Sequence, residues 1–263
     1  MTATRTAPAA HVSLPRLLAR TCAAEWTRLW TVRTSWWFLL AAAVVLVGLG
    51  IVAGVEAAGD PASSGGDPVW TGVTVFVMPA QFALFGLALT AVTSDHATGG
   101  IVPTLQWTPR RGVLLLARAG VAVGTATAAG VVLVLASALA AHAAHPDLTL
   151  PVADGVDALG TVALVVAAGA ALGVGLGFLL RSTAGALVAV FLLVLVLPLV
   201  LPQFGLAWAT SLAQALPGSG AAYLLLGGEP VGMSRASSVT VLLAWAAGAL
   251  LLGWLRLSRD DVR

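Results

Sequence analysis

The sequence predicts an all-α integral membrane protein with six transmembrane helices, because of its composition, its six long apolar runs and the placement of its arginines. Of its 263 residues, 59% are hydrophobic and 9% are charged, whereas a soluble domain carries about a quarter charged residues. A helix needs roughly 20 apolar residues to cross a hydrocarbon core. Each run is expected to be helical, since backbone groups in lipid must bond within their own segment.

Two stretches precede the spans in the predicted order: a flexible tail at 1–13 and an interfacial amphipathic helix at 14–34. A six-helix transmembrane domain then covers 35–263, with a polar inner connection at 94–112 and an outer segment at 203–238. The spans themselves are predicted at 36–55, 70–92, 113–141, 158–180, 184–201 and 239–257.

The arginines predict the orientation. Twelve of the 13 lie in or beside the N-terminal segment, the second and fourth connections and the tail, whereas Arg235 alone lies in another connection. Seven acidic residues lie in the first, third and fifth connections. Because arginine accumulates on the cytoplasmic side of a membrane, we expect a multi-pass protein of the cell membrane with both termini cytoplasmic.

The residue types exclude several kinds of chemistry. All 13 basic residues are arginine, so the chain cannot form a lysine-containing phosphate loop, a Schiff base or a Ser–Lys dyad. The single Cys22 excludes an internal disulfide and a cysteine-rich metal site. Any ATP hydrolysis is therefore expected in another chain, and no cofactor or metal is expected in this one.

The stretch LPRLLARTCAAEWTRLWTVRT, residues 14–34, is too polar to cross the membrane. Its apolar side chains share one helical face, with arginine and threonine opposite, which predicts a helix lying on the membrane surface. The predicted apolar face comprises Leu14, Leu18, Cys22, Trp26, Leu29 and Val32. Glu25 and Arg28 are spaced to pair at i, i+3. The alternative is a plain membrane anchor that has no partner.

The polar connection reads SDHATGGIVPTLQWTPRR over residues 94–111. Gly99 and Gly100 permit a sharp break, and Pro103 and Pro109 limit any helix to a short one around 104–107. The alternative is an ordinary inner loop whose arginines only set topology.

Small and polar residues mark other candidate sites. Gly169, Gly173 and Gly177 are one helical turn apart, which favours close helix packing. Gln81, two residues after Pro79, is the only amide side chain within a predicted span. It either lines a substrate path or forms an interhelical hydrogen bond.

Two further motifs are weaker candidates. His142 and His145 lie at i, i+3 near Asp147, where they either bind a metal or occupy the membrane interface. Gly218-Ser219-Gly220 has the form of a nucleophile turn, but no histidine base is near it in sequence, so a structural turn is favoured.

Four stretches of the chain are similar to motifs of one known family. They are AAEWTRLWTVRTSWWFLL (23–40), TSDHATGGIVPTLQWTPRRGVLLLAR (93–118), GLGFLLRSTAGAL (175–187) and AWATSLAQALPGSG (207–220). In this order they resemble the N-terminal signature, the loop after the second span, the fourth-to-fifth span hairpin and the outer segment of the ABC-2 type transporter permeases of actinobacteria. The four matches follow the family order.

The resemblance implies a permease subunit without an active site, which exports a hydrophobic substrate. A separate soluble ABC ATPase would hold ATP and Mg and dock on the inner connection. The residues implied in that contact are Asp95, Gly99, Leu105, Trp107, Arg110 and Arg111. Glu25, Trp26 and Arg28 would belong to the interfacial helix alongside. Further partners are a second permease copy or paralogue and membrane lipid, with no nucleic acid.

Two other functions remain open from the residues alone. A membrane-embedded enzyme of lipid or cell-wall metabolism would concentrate acids, histidines or metal ligands at one depth. An ion-coupled secondary transporter would place ionisable groups near the midplane. The predicted spans hold almost none of these groups, which disfavours both.

Overall fold

A computed structural model describes residues 13–59, 66, 68–98, 111–228 and 232–259, with the backbone alone for 95–98. These residues are almost entirely helical, and their one β pairing is an isolated bridge between Pro68 and Thr149. The α-helices are α1 (Leu14–Thr31), α2 (Arg33–Gly59), α3 (Val69–Val75), α4 (Val77–Thr98), α5 (Arg111–Ala144), α6 (Val152–Leu180), α7 (Thr183–Phe191), α8 (Leu197–Val200), α9 (Ala207–Gln214), α10 (Pro217–Leu225) and α11 (Arg235–Arg259).

Six helical stretches are long and apolar enough to cross a membrane, which confirms the predicted fold class at that level. They are α2, the first 18 residues of α4, α5, α6, the stretch Thr183–Phe204 and α11. Several run beyond the predicted limits, since α2 begins at Arg33 and α6 at Val152. Apolarity defines the part of a helix that can lie in hydrocarbon, whereas the backbone hydrogen bonds continue into the polar flanks.

The second predicted span, 70–92, is wrong as a single helix. The structure divides it into α3 and α4 at Phe76. Pro79 explains the break, because proline has no N–H to bond the carbonyl of Val75 four residues earlier and its ring crowds that carbonyl. The N–H of Ala80 bonds Phe76 and starts the new helix.

The fifth spanning stretch is also irregular. After α7 it passes through a π-helical turn at Leu192–Val196, then α8, then a 3₁₀ turn at Leu201–Phe204. The N–H of Leu197 bonds Leu192, five residues back. Pro198 cannot bond Val194, so the wider turn accommodates the missing hydrogen bond.

The core centres on α6, which packs against α4, α5 and α11. Glycine permits the closest of these contacts. A Cβ at Gly175 would lie only 2.5 Å from the backbone nitrogen of Leu250 in α11. A Cβ at Gly169 would overlap the ring of Phe85 in α4. Such close backbone approach is how small residues hold membrane helices together.

The described residues of the predicted outer segment, 203–238, include two short helices, α9 and α10. α10 is buried at its start, where Gly218 lies against the carbonyl of Val194 in the π-helical turn. The indole of Trp245 in α11 donates to the carbonyl of Ala215 between the two helices, over 2.8 Å. The irregular fifth span, the outer helices and α11 therefore form one packed unit.

Candidate functional site

The polar centre of the described residues lies where α1 meets the bundle. Glu25 of α1 accepts a hydrogen bond from Nε of Arg118 in α5, at 2.8 Å. The Arg118 side chain is 1% exposed and that of Glu25 is 11% exposed. A charge in such surroundings costs free energy unless it is paired, so this ion pair fixes α1 against α5.

Arg28 extends the cluster to α4. Its guanidinium donates to the carbonyl of Ala91 and to the hydroxyl of Ser94, the latter at 3.2 Å. It also lies 3.6 Å from Glu25, the i, i+3 spacing that the sequence predicts. We call Glu25, Arg28, Arg118 and Ser94 the inner junction. This junction ties α1 to the end of α4 and the start of α5, the helices that flank the polar connection.

The face of α1 that meets the bundle overlaps the predicted apolar face only in part, since Leu29 is buried whereas Leu14 and Val32 are exposed. Thr21 and Leu29 are buried, with Glu25 and Arg28 on the same stripe. Trp26 remains 51% exposed. Charged side chains thus hold α1 to the protein, and part of its apolar surface stays open.

Three tryptophans stabilise the turn between α1 and α2. The rings of Trp26 and Trp30 lie 5.4 Å apart edge to face, and those of Trp30 and Trp36 lie 5.1 Å apart. The indole of Trp36 donates to the carbonyl of Trp30 at 3.1 Å. Aromatic pairs in this geometry add stability beyond the area they bury.

Most residues predicted to contact an ATPase lie outside the described residues, namely Gly99, Leu105, Trp107 and Arg110. The backbone of Asp95 lies in the last turn of α4. Those assignments stay predictions.

Arg111 is the member of that set whose side chain is described. Its guanidinium donates to the carbonyls of Leu257 and Ser258, at 2.9 and 3.1 Å. These carbonyls belong to the last turn of α11, where a cation favourably meets the helix dipole. Arg111 therefore joins the start of α5 to the end of α11.

Gln81 is fully buried between α4, α6, α10 and α11. Its amide nitrogen donates to the carbonyl of Met78 in its own helix at 3.0 Å, and its oxygen has no partner among the described residues. The adjoining cavity is about 10 Å³, about the space one water needs. Among the described residues, Gln81 therefore makes no interhelical hydrogen bond. The cavity beside it has room for about one water and does not form an open substrate path. Pro79 lies on the exposed side of α4.

The three glycines with helix-packing spacing lie against α4. Gly169 faces Phe85, Gly173 is in ordinary contact with Phe85 and Leu89, and Gly177 faces Thr93. A second glycine contact, between Gly175 of α6 and Gly253 of α11, was not predicted from the sequence. The GxxxG spacing indicated the face of α6 that packs on α4, whereas Gly175 lies on a second face that packs on α11.

His142 and Ser219, from the two weaker motifs, each have a backbone carbonyl as a partner. The Nδ1 of His142 lies 2.8 Å from the carbonyl of Leu148, and the hydroxyl of Ser219 donates to the carbonyl of Ala213 at 2.7 Å. No group of three or more His, Cys, Asp or Glu side chains that could hold a metal occurs in the part of the chain that the structure describes.

Sequence reasoning also missed the pairing of Glu25 with Arg118. A signal was present, because Arg118 interrupts an apolar run and Glu25 is the one acid before the first span. A charge within a span needs a partner. The i, i+3 rule pointed only to the local partner Arg28.

No protein-family model matches the chain, and no curated protein matches it significantly. Assignment to the ABC-2 permeases therefore stays a proposal that rests on the sequence motifs.

Proposed function

We propose that the chain is the membrane-spanning permease subunit of an ABC exporter, which uses ATP hydrolysed by a separate soluble ATPase chain. Both termini and the polar connection face the cytoplasm of a cell-membrane protein. Two permease chains, identical or paralogous, work with two ATPase chains. The substrate is hydrophobic, since the spans offer mainly Leu, Val, Ala and Gly.

The observation that carries the proposal is the position of the inner junction. Packed side chains, ion pairs and hydrogen bonds can carry the movement of a docking segment to the spans beside it. The junction ties α4 and α5 together through Glu25, Arg28 and Arg118. Arg111 adds a tie from the start of α5 to α11. Movement of 99–110 would therefore reach three spans and α1.

The surface of α1 supports an interfacial position. Trp26 and Leu14 are 51% and 56% exposed, and Trp36 and Trp37 at the start of α2 are 56% and 67% exposed. Tryptophan is enriched at the boundary between membrane and water. These exposed aromatic side chains support the proposal that α1 lies on the membrane surface with its tryptophans at headgroup depth.

The test is purification of the tagged full chain from its native membranes, after crosslinking in intact cells. We expect a soluble P-loop ATPase among the copurified proteins, and vanadate-sensitive ATP hydrolysis in the uncrosslinked complex. A chain that purifies without any ATPase, and without hydrolysis after reconstitution in lipid, would refute the proposal.

A further inference from the structure

The small cavity beside Gln81, of about 10 Å³, lies between α4, α6, α10 and α11. Its lining side chains are apolar apart from Gln81 and Trp245. The indole N–H of Trp245 already donates to the carbonyl of Ala215, over 2.8 Å. Gln81 is therefore the side chain that can offer a polar atom to a ligand in this cavity.

The side-chain oxygen of Gln81 is a buried acceptor that lacks a donor. The residue is 0% exposed, and its Oε1 has no partner among the described residues. The amide nitrogen donates to the carbonyl of Met78 at 3.0 Å, which assigns the other amide atom as the oxygen. A buried acceptor without a partner is unfavourable, because it has lost its hydrogen bond to water. A donor from a ligand in the cavity would remove this cost.

Val194 lines the same cavity and brings a second acceptor, its carbonyl oxygen. Residue 198 is proline, so this carbonyl cannot accept the N–H that an α-helix would supply four residues later. The carbonyl lies against Gly218 at the start of α10, and the preceding Pro217 also lines the cavity. Two acceptors from different helical segments thus belong to one cavity, and a ligand that suits both must donate twice.

The size of the cavity and its two acceptors select the ligand. A cavity of about 10–15 Å³ on this measure has room for one water, and a water molecule donates two hydrogen bonds. A metal cation needs more oxygen ligands than two acceptors supply, and an organic substrate needs a larger pocket. Ordered water is also one of the groups that compensate for a proline in a membrane helix.

We propose that one buried water occupies this cavity and bridges two helical segments. It donates one hydrogen bond to Oε1 of Gln81 in α4 and the other to the carbonyl of Val194 in the irregular fifth span. Because that span packs with α10 and α11 as one unit, the water is a polar joint between α4 and this unit. The joint depends on these residues alone and not on the proposed transport function.

The test is a structure of the purified full chain in lipid, at a resolution that shows ordered waters. We expect one isolated density peak within hydrogen-bonding distance of both Oε1 of Gln81 and the carbonyl of Val194. Gln81→Met keeps the length of the side chain but removes its oxygen, so the peak should disappear. Gln203→Met makes the same change at an exposed glutamine of the 3₁₀ turn, and the peak should remain.

Unfolding in detergent micelles gives a second readout, which distinguishes a bound water from an empty cavity. If the water is bound, Gln81→Met loses the bridge, and its equilibrium constant for unfolding should rise about tenfold. If the cavity is empty, the same change removes an unpaired oxygen and should stabilise the chain. Gln203→Met should unfold like wild type.

The density in the wild-type chain keeps the proposal testable if Gln81→Met does not fold. A wild-type cavity without density would overturn the proposal, as would density that contacts only one acceptor or extends beyond a single water. A stabilised Gln81→Met would overturn it as well.

Discussion

Two arginine–carboxylate pairs have the same separation of 2.8 Å but differ in their burial. Arg118 and Glu25 join α5 to α1, with side chains 1% and 11% exposed. Arg235 and Asp157 join α11 to α6, with both side chains 64% exposed. The chemistry and the distance are the same, and the surroundings differ.

The comparison shows that the distance alone does not determine how much an ion pair contributes to stability. Removing one partner of a buried pair leaves a charge that neither water nor a counterion stabilises, whereas an exposed charge is simply rehydrated. The buried pair therefore fixes the position of α1. The exposed pair can open and close without moving the helices it joins.

We expect the two ion pairs to lie on opposite sides of the membrane, and this is the largest difference expected between the two regions. In a chain with Cys22→Ser, we expect Asp154→Cys, near the exposed pair, to react with an impermeant thiol reagent in intact cells. Ser258→Cys, in the last turn of α11, should react only after permeabilisation. Labelling of Ser258→Cys in intact cells would overturn the orientation.

Breaking the buried pair should destabilise the protein strongly. Glu25→Ala leaves Arg118 buried without that carboxylate, which should cost about 3 kcal/mol of unfolding free energy. The measurement is reversible denaturation of the purified chain in mixed detergent micelles. Glu56→Ala, at an exposed glutamate of α2, is the matched control and should leave stability unchanged.

The double variant Glu25→Arg/Arg118→Glu sharpens this result, because it restores opposite charges in the same place. Recovery of part of the lost stability would assign the loss to the ion pair itself. Equal stability of Glu25→Ala and wild type would show that the pair does not fix α1.

Breaking the exposed pair should have the smallest effect. Asp157→Asn removes the charge but keeps the shape, and we expect no measurable change in unfolding at moderate salt, since water and ions already screen the charges. Unfolding measured at low and high salt checks this. A loss as large as that of Glu25→Ala would contradict the distinction drawn from burial.

Much of the fold could be predicted because apolar length alone identifies a spanning helix. The packing faces could not, since lipid-facing and buried positions are equally apolar. In α2, Leu46 is fully buried whereas Val44 is 64% exposed, and both are aliphatic. Pro79 could have predicted the break at Phe76. The apolar run 70–92 is long enough for one span, however, and this favoured a single helix.

The inner junction was only half predictable. Glu25 and Arg28 follow from a local spacing rule, but Arg118 is 93 residues from Glu25 in sequence. Only the packing of α1 on α5 brings these two side chains together. Local patterns cannot supply such a contact.

The most direct test of the account is whether the polar connection docks an ATPase. Leu105 and Trp107 are the large apolar side chains between Pro103 and Pro109, and buried aromatic residues often anchor interfaces. The measurement is the amount of ATPase chain retained per permease by Leu105→Ser/Trp107→Ser. The control Trp208→Ser/Leu212→Ser makes the same changes on exposed residues of α9. We predict at least about a tenfold loss in the first variant, wild-type retention in the control and normal membrane levels in both. Wild-type retention by Leu105→Ser/Trp107→Ser would contradict the account and leave the connection as a simple loop.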